Sequence, residues 1–330
     1  MNVTKFLLTL SIMATVFGSN TVHASKIDEN AFGNSIARKV VVESLEVPVF
    51  KDGRIEGIEK PENLSKIQKE KLLKVLNFSD AEILSFPDSF VNTLLKEGGV
   101  KVELTKKDVR RVYTDLKGVD HEYTPDTEEE IKLIKIQDQA LIQQKLTDEG
   151  AGPVVTPYGY YLEGSFFGNG VLTKVGQDEH SFIYKYRTTF DWSSKPVNCY
   201  TDVIAQSWQS HTTSVRTDTD YRRQNGSELF SHAGNFSVDR SNIYGTKADV
   251  DIVNSPGHHW GYIEDTVSIP MNEIYQVGQF ASGYGHSYAP KGIGGVSISI
   301  KIVGIDFGGL GSDKWSWKNT FKIGQTYLDS

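Results

Sequence analysis

The stretch SFIYKYRTTF, residues 181–190, decides the fold of the second half of this 330-residue chain. Large aromatic side chains share one side of an extended strand and polar side chains take the other: Phe182, Tyr184, Tyr186 and Phe190 against Lys185, Arg187 and Thr189. This alternation is typical of a β-strand with one buried face. WSWKNTFKI, residues 315–323, repeats the pattern, and at least six such strands are separated by Gly, Asn, Asp and Ser. Residues 151–330 therefore predict an antiparallel β-sandwich.

The first half has a different composition. Residues 25–150 are rich in Lys, Glu and Leu, and all five tryptophans lie beyond residue 151. Leu64, Ile67, Leu72 and Val75 recur at roughly helical spacing. Ser79 and Glu82 have the spacing of a capping box, and Gly98 suits the end of a helix. We expect an α+β protein: a mainly helical N-terminal module over residues 25–150, a linker near residues 147–153, then the all-β antiparallel sandwich.

The N-terminus predicts export. Residues 1–24 combine a cation at Lys5, an apolar stretch over residues 6–17 and small residues before a cleavage point at Ser25, as in a secretory signal peptide. No later run is long enough for a transmembrane anchor. We expect a secreted, extracellular protein. Cys199 is the one cysteine in the chain, so an internal disulfide is excluded.

The formal net charge of −7 argues against nucleic acid as a partner. The expected partner is instead a component of a bacterial envelope, whether protein, glycan or lipid.

A second alternating run begins at residue 296. Val296, Ile298, Ile300 and Ile302 are separated by Ser297, Ser299 and Lys301. One interpretation is an ordinary sandwich strand, with a β-bulge at Gly304 where the apolar side switches. The other is a membrane-inserting hairpin with residues 315–323 as the returning strand, since a strand that crosses a bilayer needs about 9–11 residues. The sequence leaves both open.

Aromatic residues beside glycines and predicted loops are candidate ligand-binding residues. Exposed rings stack on sugars or lie at a lipid interface, whereas buried rings fill a core. The candidates are Trp192, Trp208, Trp260, Tyr262, Tyr284 and Tyr288.

Two pairs of alternate carboxylates are candidate calcium ligands, because carboxylates in a loop offer hard oxygen ligands. The pairs are Asp218 with Asp220 and Asp249 with Asp251. Solvated loops are the alternative. The adjacent His258 and His259 point to opposite faces of a strand, which argues against zinc, and no cofactor is expected.

Catalytic signatures are weak. Cys199 lies in PVNCYTDV without a motif of a cysteine hydrolase, and the G-x-S-x-G elbow is absent. We expect a protein that is not an enzyme. A hydrolase that depends on Asp202 or His259 stays a further alternative.

Two runs resemble a known module. LLKVLNFSDAEILSFPDSFVNTLLKEGGVKVEL (residues 72–104) and YTPDTEEEIKLIKIQD (residues 123–138) are similar to an N-terminal module of exported Gram-positive proteins. There a Tyr- and Gly-rich β-domain often follows, as in the large, heat-labile bacteriocins of the geobacillin type.

The resemblance implies a secreted, bacteriocin-like antibacterial protein that acts through envelope binding by its β-domain, with residues 25–150 as a possible propeptide. It carries over no catalytic residue. A non-toxic cell-wall or glycan-binding module is the main alternative.

Overall fold

The computed structural model describes residues 35–148, 166–196, 199–290 and 295–324. The predicted signal peptide, residues 1–24, and most of the predicted linker lie outside the described residues.

The described residues form strands over most of their length and four α-helices. The strands are β1 (Ile36–Val42), β2 (Leu45–Phe50), β3 (Val100–Lys101), β4 (Thr105–Thr114), β5 (Asp120–Glu122), β6 (Phe166–Gln177), β7 (Ser181–Trp192), β8 (Thr201–Trp208), β9 (Thr213–Asn225), β10 (Glu228–Ser231), β11 (Phe236–Asp239), β12 (Gly245–Asp251), β13 (His258–Pro270), β14 (Val277–Ser287), β15 (Gly295–Lys301), β16 (Gly304–Leu310) and β17 (Ser312–Lys322). The helices are α1 (Lys66–Val75), α2 (Asp80–Ser85), α3 (Asp88–Glu97) and α4 (Glu128–Asp148).

Two antiparallel sheets form the body of the molecule. The first sheet has the strand order β10-β9-β13-β7-β6-β3, and the second has the order β11-β12-β8-β14-β17-β4-β5. Their inner faces meet through aromatic side chains: the rings of Tyr186 and Phe280 stack with their centroids 4.2 Å apart. The predicted antiparallel β architecture is therefore confirmed for the described residues.

Strand β7 follows the predicted alternation on its inner face. Phe182, Tyr184, Tyr186 and Phe190 are buried between the sheets. The opposite face differs from expectation, since Arg187 is fully buried.

Helices α1 to α3 cover that outer face of the first sheet. Phe90 of α3 lies 5.6 Å from Tyr262 and 6.4 Å from Trp260, between ring centroids. Arg187 and Lys185 form ion pairs with Glu97 of α3 and Glu264 of β13. The outer face of the first sheet is thus covered by a layer of helices and is not exposed to solvent there.

The helix ends follow the predicted local signals. Ser79 and Glu82 form a reciprocal capping box at the start of α2. Gly98, with φ of +67°, ends α3 in the left-handed region that favours glycine.

Residues 25–150 contain strands as well as helices, and three of these strands join the two large sheets. Strand β3 extends the first sheet, while β4 and β5 extend the second sheet, with β4 paired to β17. Strands from both sides of residue 150 therefore share both sheets. Removal of residues 25–150 as a propeptide stays a prediction, and it would uncover the edge of β17.

Candidate functional site

Strands β15 and β16 form a two-stranded hairpin of their own. Ile298 pairs with Phe307 and Ile300 pairs with Ile305. Among the described strands, neither hydrogen-bonds to a ladder of the two large sheets. The hairpin instead lies flat on the outer face of the second sheet, as a separate layer.

The hairpin is amphipathic in the way its sequence predicts. Its apolar side chains pack on Val203 and Ala205 of β8 and comprise Val296, Ile298, Ile300, Ile305 and Phe307. Its other face carries exposed polar residues at Ser297, Ser299 and Asp306.

Glycines of the second sheet form the floor under the hairpin. A Cβ atom added to Gly283 would lie 2.7 Å from Cζ of Phe307, and one added to Gly245 would lie 2.8 Å from Cγ2 of Ile300. A Cβ atom added to Gly285 would clash with Cγ2 of Val296 in the same way. The apolar face of the hairpin therefore approaches the backbone of the sheet more closely than side chains there would allow.

Few polar contacts hold the hairpin to the sheet. Asn242 Nδ2 donates to the carbonyl of Ile300 at 3.1 Å, and Lys247 Nζ donates to the carbonyl of Ile298 at 3.4 Å. The amide of Val303 donates to the carbonyl of Trp208 at 3.2 Å, and Lys314 Nζ of β17 donates to the carbonyl of Gly309 at 3.4 Å. Apolar packing is the main attachment.

The chain reverses at Ile302 and Val303, which corrects two expectations. Ile302 belongs to the turn and is 52% exposed, so it does not continue the packed stripe. The switch of the apolar side is a hairpin turn and not a β-bulge, because the returning strand is Gly304–Leu310 and not residues 315–323. Val303 has φ of +47°, which strains a β-branched residue.

The hairpin is the folded-back continuation of two strands of the second sheet. β14 and β17 pair up to Ser287 and Ser312, and the next ladder begins with Gly295 and Leu310. At the joint the amide of Tyr288 donates to the carbonyl of Gly311 at 2.8 Å. We call Tyr288–Ala289 and Gly311–Asp313 together the joint.

A cleft of about 510 Å³ lies beside the joint. Its walls include Tyr200, Asp249, Asp251, Ser287 and Ser297. It combines an aromatic ring with carboxylates and hydroxyl groups, which are the groups that bind polyhydroxylated ligands.

The candidate calcium ligands lie in strands and not in loops. Asp218 and Asp220 are on β9 of the first sheet, where arginines Arg216 and Arg222 bind them at 2.7 and 2.9 Å. Asp249 and Asp251 are on β12 of the second sheet, and Asp251 accepts a hydrogen bond from Thr201 at 2.8 Å. The described residues contain no group of three or more His, Cys, Asp or Glu side chains placed to hold a metal ion. The fold does not bring the two pairs together.

All six candidate ligand-binding aromatic residues are buried, which agrees with the alternative that such rings fill a core. None exceeds 6% exposure: Trp192, Trp208, Trp260, Tyr262, Tyr284 and Tyr288. Two of them bind each other, since Trp192 Nε1 donates to the hydroxyl of Tyr284 at 3.0 Å. Four lie between the sheets or at their ends, while Trp260 and Tyr262 lie beneath helix α3.

The candidate catalytic residues are enclosed and separate. Asp202 is fully buried and contacts Nδ1 of His286 at 2.8 Å. His259 accepts from the hydroxyl of Tyr221 at 2.7 Å and contacts the carbonyl of Ser255 at 2.9 Å. Burial lowers the pKa of His259 to about 4. These hydrogen bonds stabilise the fold. The pairing of Asp202 with His286 has no signal in the sequence, because the two residues are far apart in the chain.

Cys199 also lacks the environment of a nucleophile. Its thiol is half-buried and donates to the carbonyl of Pro196 at 3.5 Å. Burial raises the pKa of the Cys199 thiol to about 12, so thiolate is scarce near neutral pH.

Comparisons with known proteins give low similarity. No protein-family model matches the chain, and no curated protein matches it. Among solved structures, the collagen-binding subdomain of the Enterococcus faecalis surface protein ACE has 9% identity and a TM-score of 0.27, over 46% of this chain and 94% of that one. The Clostridium perfringens NetB toxin in its membrane-inserted form has 5% identity and a TM-score of 0.25, over 49% and 95%. Clostridium perfringens delta-toxin has 8% identity and a TM-score of 0.26, over 49% and 92%. Similarity at this level transfers no function.

In the described part of the chain, no helix combines the length and apolar character needed to cross a membrane.

Proposed function

We propose that this is an exported antibacterial protein that acts on the envelope of a target cell, and that the hairpin β15–β16 is the part that enters the membrane. One observation carries the proposal. The hairpin is an amphipathic layer that packs on the second sheet through side chains and shares no ladder with it among the described strands.

Transfer of the hairpin from the sheet to lipid keeps most of its interactions. The hydrogen bonds between β15 and β16 are internal and move with it. Its apolar face exchanges the apolar surface of the sheet for the apolar interior of the bilayer, at little cost. Transfer of the same side chains to water would cost about 1.5–3 kcal/mol for each fully buried side chain. Four hydrogen bonds, from Asn242, Lys247, Lys314 and the amide of Val303, are the main polar loss among the described residues, each worth about 1 kcal/mol.

The length of the hairpin also fits a membrane role. Each strand has seven residues, which extend about 23 Å. The β14–β17 pair and the hairpin are both antiparallel, and β15 follows β14 while β16 precedes β17. If the joint opened, the two pairs would therefore form one longer two-stranded ribbon. In lipid, the two outer edges need hydrogen-bond partners, so we expect several copies to insert side by side.

A disulfide lock tests this function. Gly285→Cys with Val296→Cys, in a Cys199→Ser background, joins the hairpin to its floor, because Val296→Cys removes one of the two methyl groups that a Cβ at position 285 would meet. The matched control is Ser297→Cys with Gly308→Cys, which closes a directly opposed pair within the hairpin and leaves it free to move.

The assay is dye release from liposomes of bacterial lipid, together with killing of Gram-positive cells. We expect the lock to abolish release until a reductant is added, while the control disulfide has no effect. Release by the oxidised, locked protein would rule out insertion of the hairpin.

A non-toxic glycan-binding protein is the second candidate, and the cleft beside the joint favours it. Asp249, Asp251 and Tyr200 line this cleft together. Binding to isolated cell walls that is lost in Asp249→Asn with Asp251→Asn, without any dye release by the native protein, would support this function over the first.

A further inference from the structure

A buried carboxylate lies at the joint of the hairpin. Asp313 is the second residue of β17, two positions after Gly311, and has no solvent exposure. Its oxygens accept hydrogen bonds from Arg111 at 3.1 Å, Lys135 at 3.0 Å, Tyr123 at 2.8 Å and Tyr288 at 2.9 Å. Burial would raise the pKa of Asp313, but the charges of Lys135 and Arg111 more than offset this and hold it below its usual value.

The donors connect two parts of the chain. Tyr288 belongs to the joint itself, on the arm that follows β14. Arg111 belongs to β4, Tyr123 follows β5, and Lys135 belongs to α4. Three of the four hydrogen-bond donors to Asp313, including both cations, therefore come from residues 105–148.

The same region also covers the joint by packing. Leu116 and Ile142 lie within 4 Å of the position that a side chain on Gly311 would take. Asp138 of α4 fixes the loop between β4 and β5, because it accepts from the hydroxyl of Tyr113 at 2.8 Å and from the amide of Leu116 at 3.0 Å. Helix α4 and the loop thus form one cover.

We propose that β4, β5 and α4 are an autoinhibitory latch that keeps the hairpin folded back by holding Asp313 and Tyr288 together. A buried carboxylate without its cations is strongly destabilising. Loss of Lys135 and Arg111 from the joint therefore makes the docked arrangement unfavourable and frees the hairpin. The biological use of this latch rests on the proposed membrane function, whereas the release itself is measurable in buffer without lipid.

The test places a thiol probe under the hairpin. Ile298→Cys, in the Cys199→Ser background, puts a thiol at a site that is 7% exposed when the hairpin is docked. Two further probes calibrate it: Ser299→Cys on the exposed face of the same strand, and Ile263→Cys between the sheets, where Ile263 has no exposure.

Latch variants are then compared by the rate of maleimide labelling. Lys135→Met with Arg111→Gln removes both cations. Lys101→Met is the control variant, because it breaks a partly buried ion pair of similar geometry, 2.7 Å from Glu82, in the layer of helices.

We expect labelling at position 298 to accelerate at least tenfold in the latch variant and to stay unchanged in the control variant. Position 263 should stay protected in both. Equal labelling at 298 in all backgrounds would overturn the latch, as would equal acceleration at 298 and 263, which marks global unfolding. If the double variant does not fold, Lys135→Gln alone is judged by the same two criteria.

The outcomes separate the two proposals. Hairpin release without dye leakage keeps the latch and removes the membrane function. Dye leakage that the disulfide lock abolishes would support the membrane function. If the labelling rate at position 298 were at the same time unchanged by substitution of Lys135, the latch would be ruled out.

Discussion

Phe307 occupies the space that a side chain at Gly283 would fill. An added Cβ would lie 2.7 Å from Cζ of Phe307 and 3.1 Å from Cγ2 of Ile305. Packed carbon atoms do not approach so closely, so glycine at position 283 is a condition for docking of the hairpin. Docking of the hairpin therefore depends on the glycines of the floor, which have no side chains, as much as on the apolar side chains of the hairpin.

Gly283→Ala should therefore loosen the hairpin. Overpacking of this size costs roughly 1–3 kcal/mol, which corresponds to about a five- to 150-fold larger open fraction. Labelling of the Ile298→Cys probe should accelerate accordingly. Gly234→Ala is the matched control, because nothing lies within 4 Å of an added Cβ there. Identical labelling in the two alanine variants would mean that the sheet adapts and that the floor is not selective.

A charge on the apolar face should block membrane activity. Ile300→Lys introduces a cation at a half-buried site that would face lipid after insertion, at a cost of about 2–4 kcal/mol near the centre of a bilayer. Ser299→Lys places the same charge on the opposite face of the same strand and is the control. We expect dye release to fall at least tenfold for Ile300→Lys and to persist for Ser299→Lys, with both proteins folded by circular dichroism. The reverse order of activities would contradict the assignment of the lipid-facing side.

Sequence periodicity predicted faces but not what covers them. The alternation at Phe182, Tyr184 and Tyr186 identifies the buried side of β7 correctly. The pattern cannot show that Arg187, on the other side, is buried as well, since helix α3 reaches it from more than eighty residues earlier in the chain. Charge compensation by Glu97 and Glu264 depends on that distant contact.

Sequence periodicity also fails to predict the turn of the hairpin. Val296, Ile298 and Ile300 were assigned to one face correctly. Ile302 and Val303 carry no turn signal such as Asn-Gly, because β-branched residues disfavour positive φ. The turn forms there in spite of its local preference, and the amide of Val303 is held by the carbonyl of Trp208.

Cys199 should react slowly with alkylating agents. Its pKa of about 12 leaves far less thiolate at pH 8 than an ordinary thiol of pKa about 8.5 has, by a factor on the order of 10³. The rate of reaction with iodoacetamide, measured for the folded and the urea-unfolded protein, gives this ratio. Comparable rates in the two states would show that burial does not suppress the thiolate, and a faster rate in the folded protein would show that Cys199 is activated and would support the hydrolase alternative.

His259 should make the fold sensitive to mild acid. Its pKa is lowered to about 4 by burial, so the unfolded chain, with a histidine pKa near 6.5, binds the proton more readily between these values. The stabilisation is complete above pH 6.5 and is lost as the pH falls towards 4. The urea midpoint should therefore decrease from pH 7 to pH 5, and less so in His259→Gln. His211→Gln, at a side chain that is 70% exposed, is the control and should follow the wild type.

Asp313 should govern a second transition at lower pH. The cations Lys135 and Arg111 hold its pKa below the usual carboxyl value near 3.9, so its contribution to stability is present above that value and is lost as the pH falls through its own pKa. Asp313→Asn should lower the free energy of unfolding at pH 7 by about 3 kcal/mol, because it leaves the largely buried Lys135 without its partner, while Arg111, at 37% exposure, is partly solvated. It should also flatten the pH dependence below pH 4. Asp88→Asn, which removes a 72% exposed carboxylate bound to Lys69, should cost about 1 kcal/mol or less.

Acid titration of the Ile298→Cys probe completes the measurement. If the hairpin labels faster as Asp313 is protonated while the core probe stays protected, the joint is the acid-sensitive element, and labelling of both probes together would instead assign the transition to the whole sandwich.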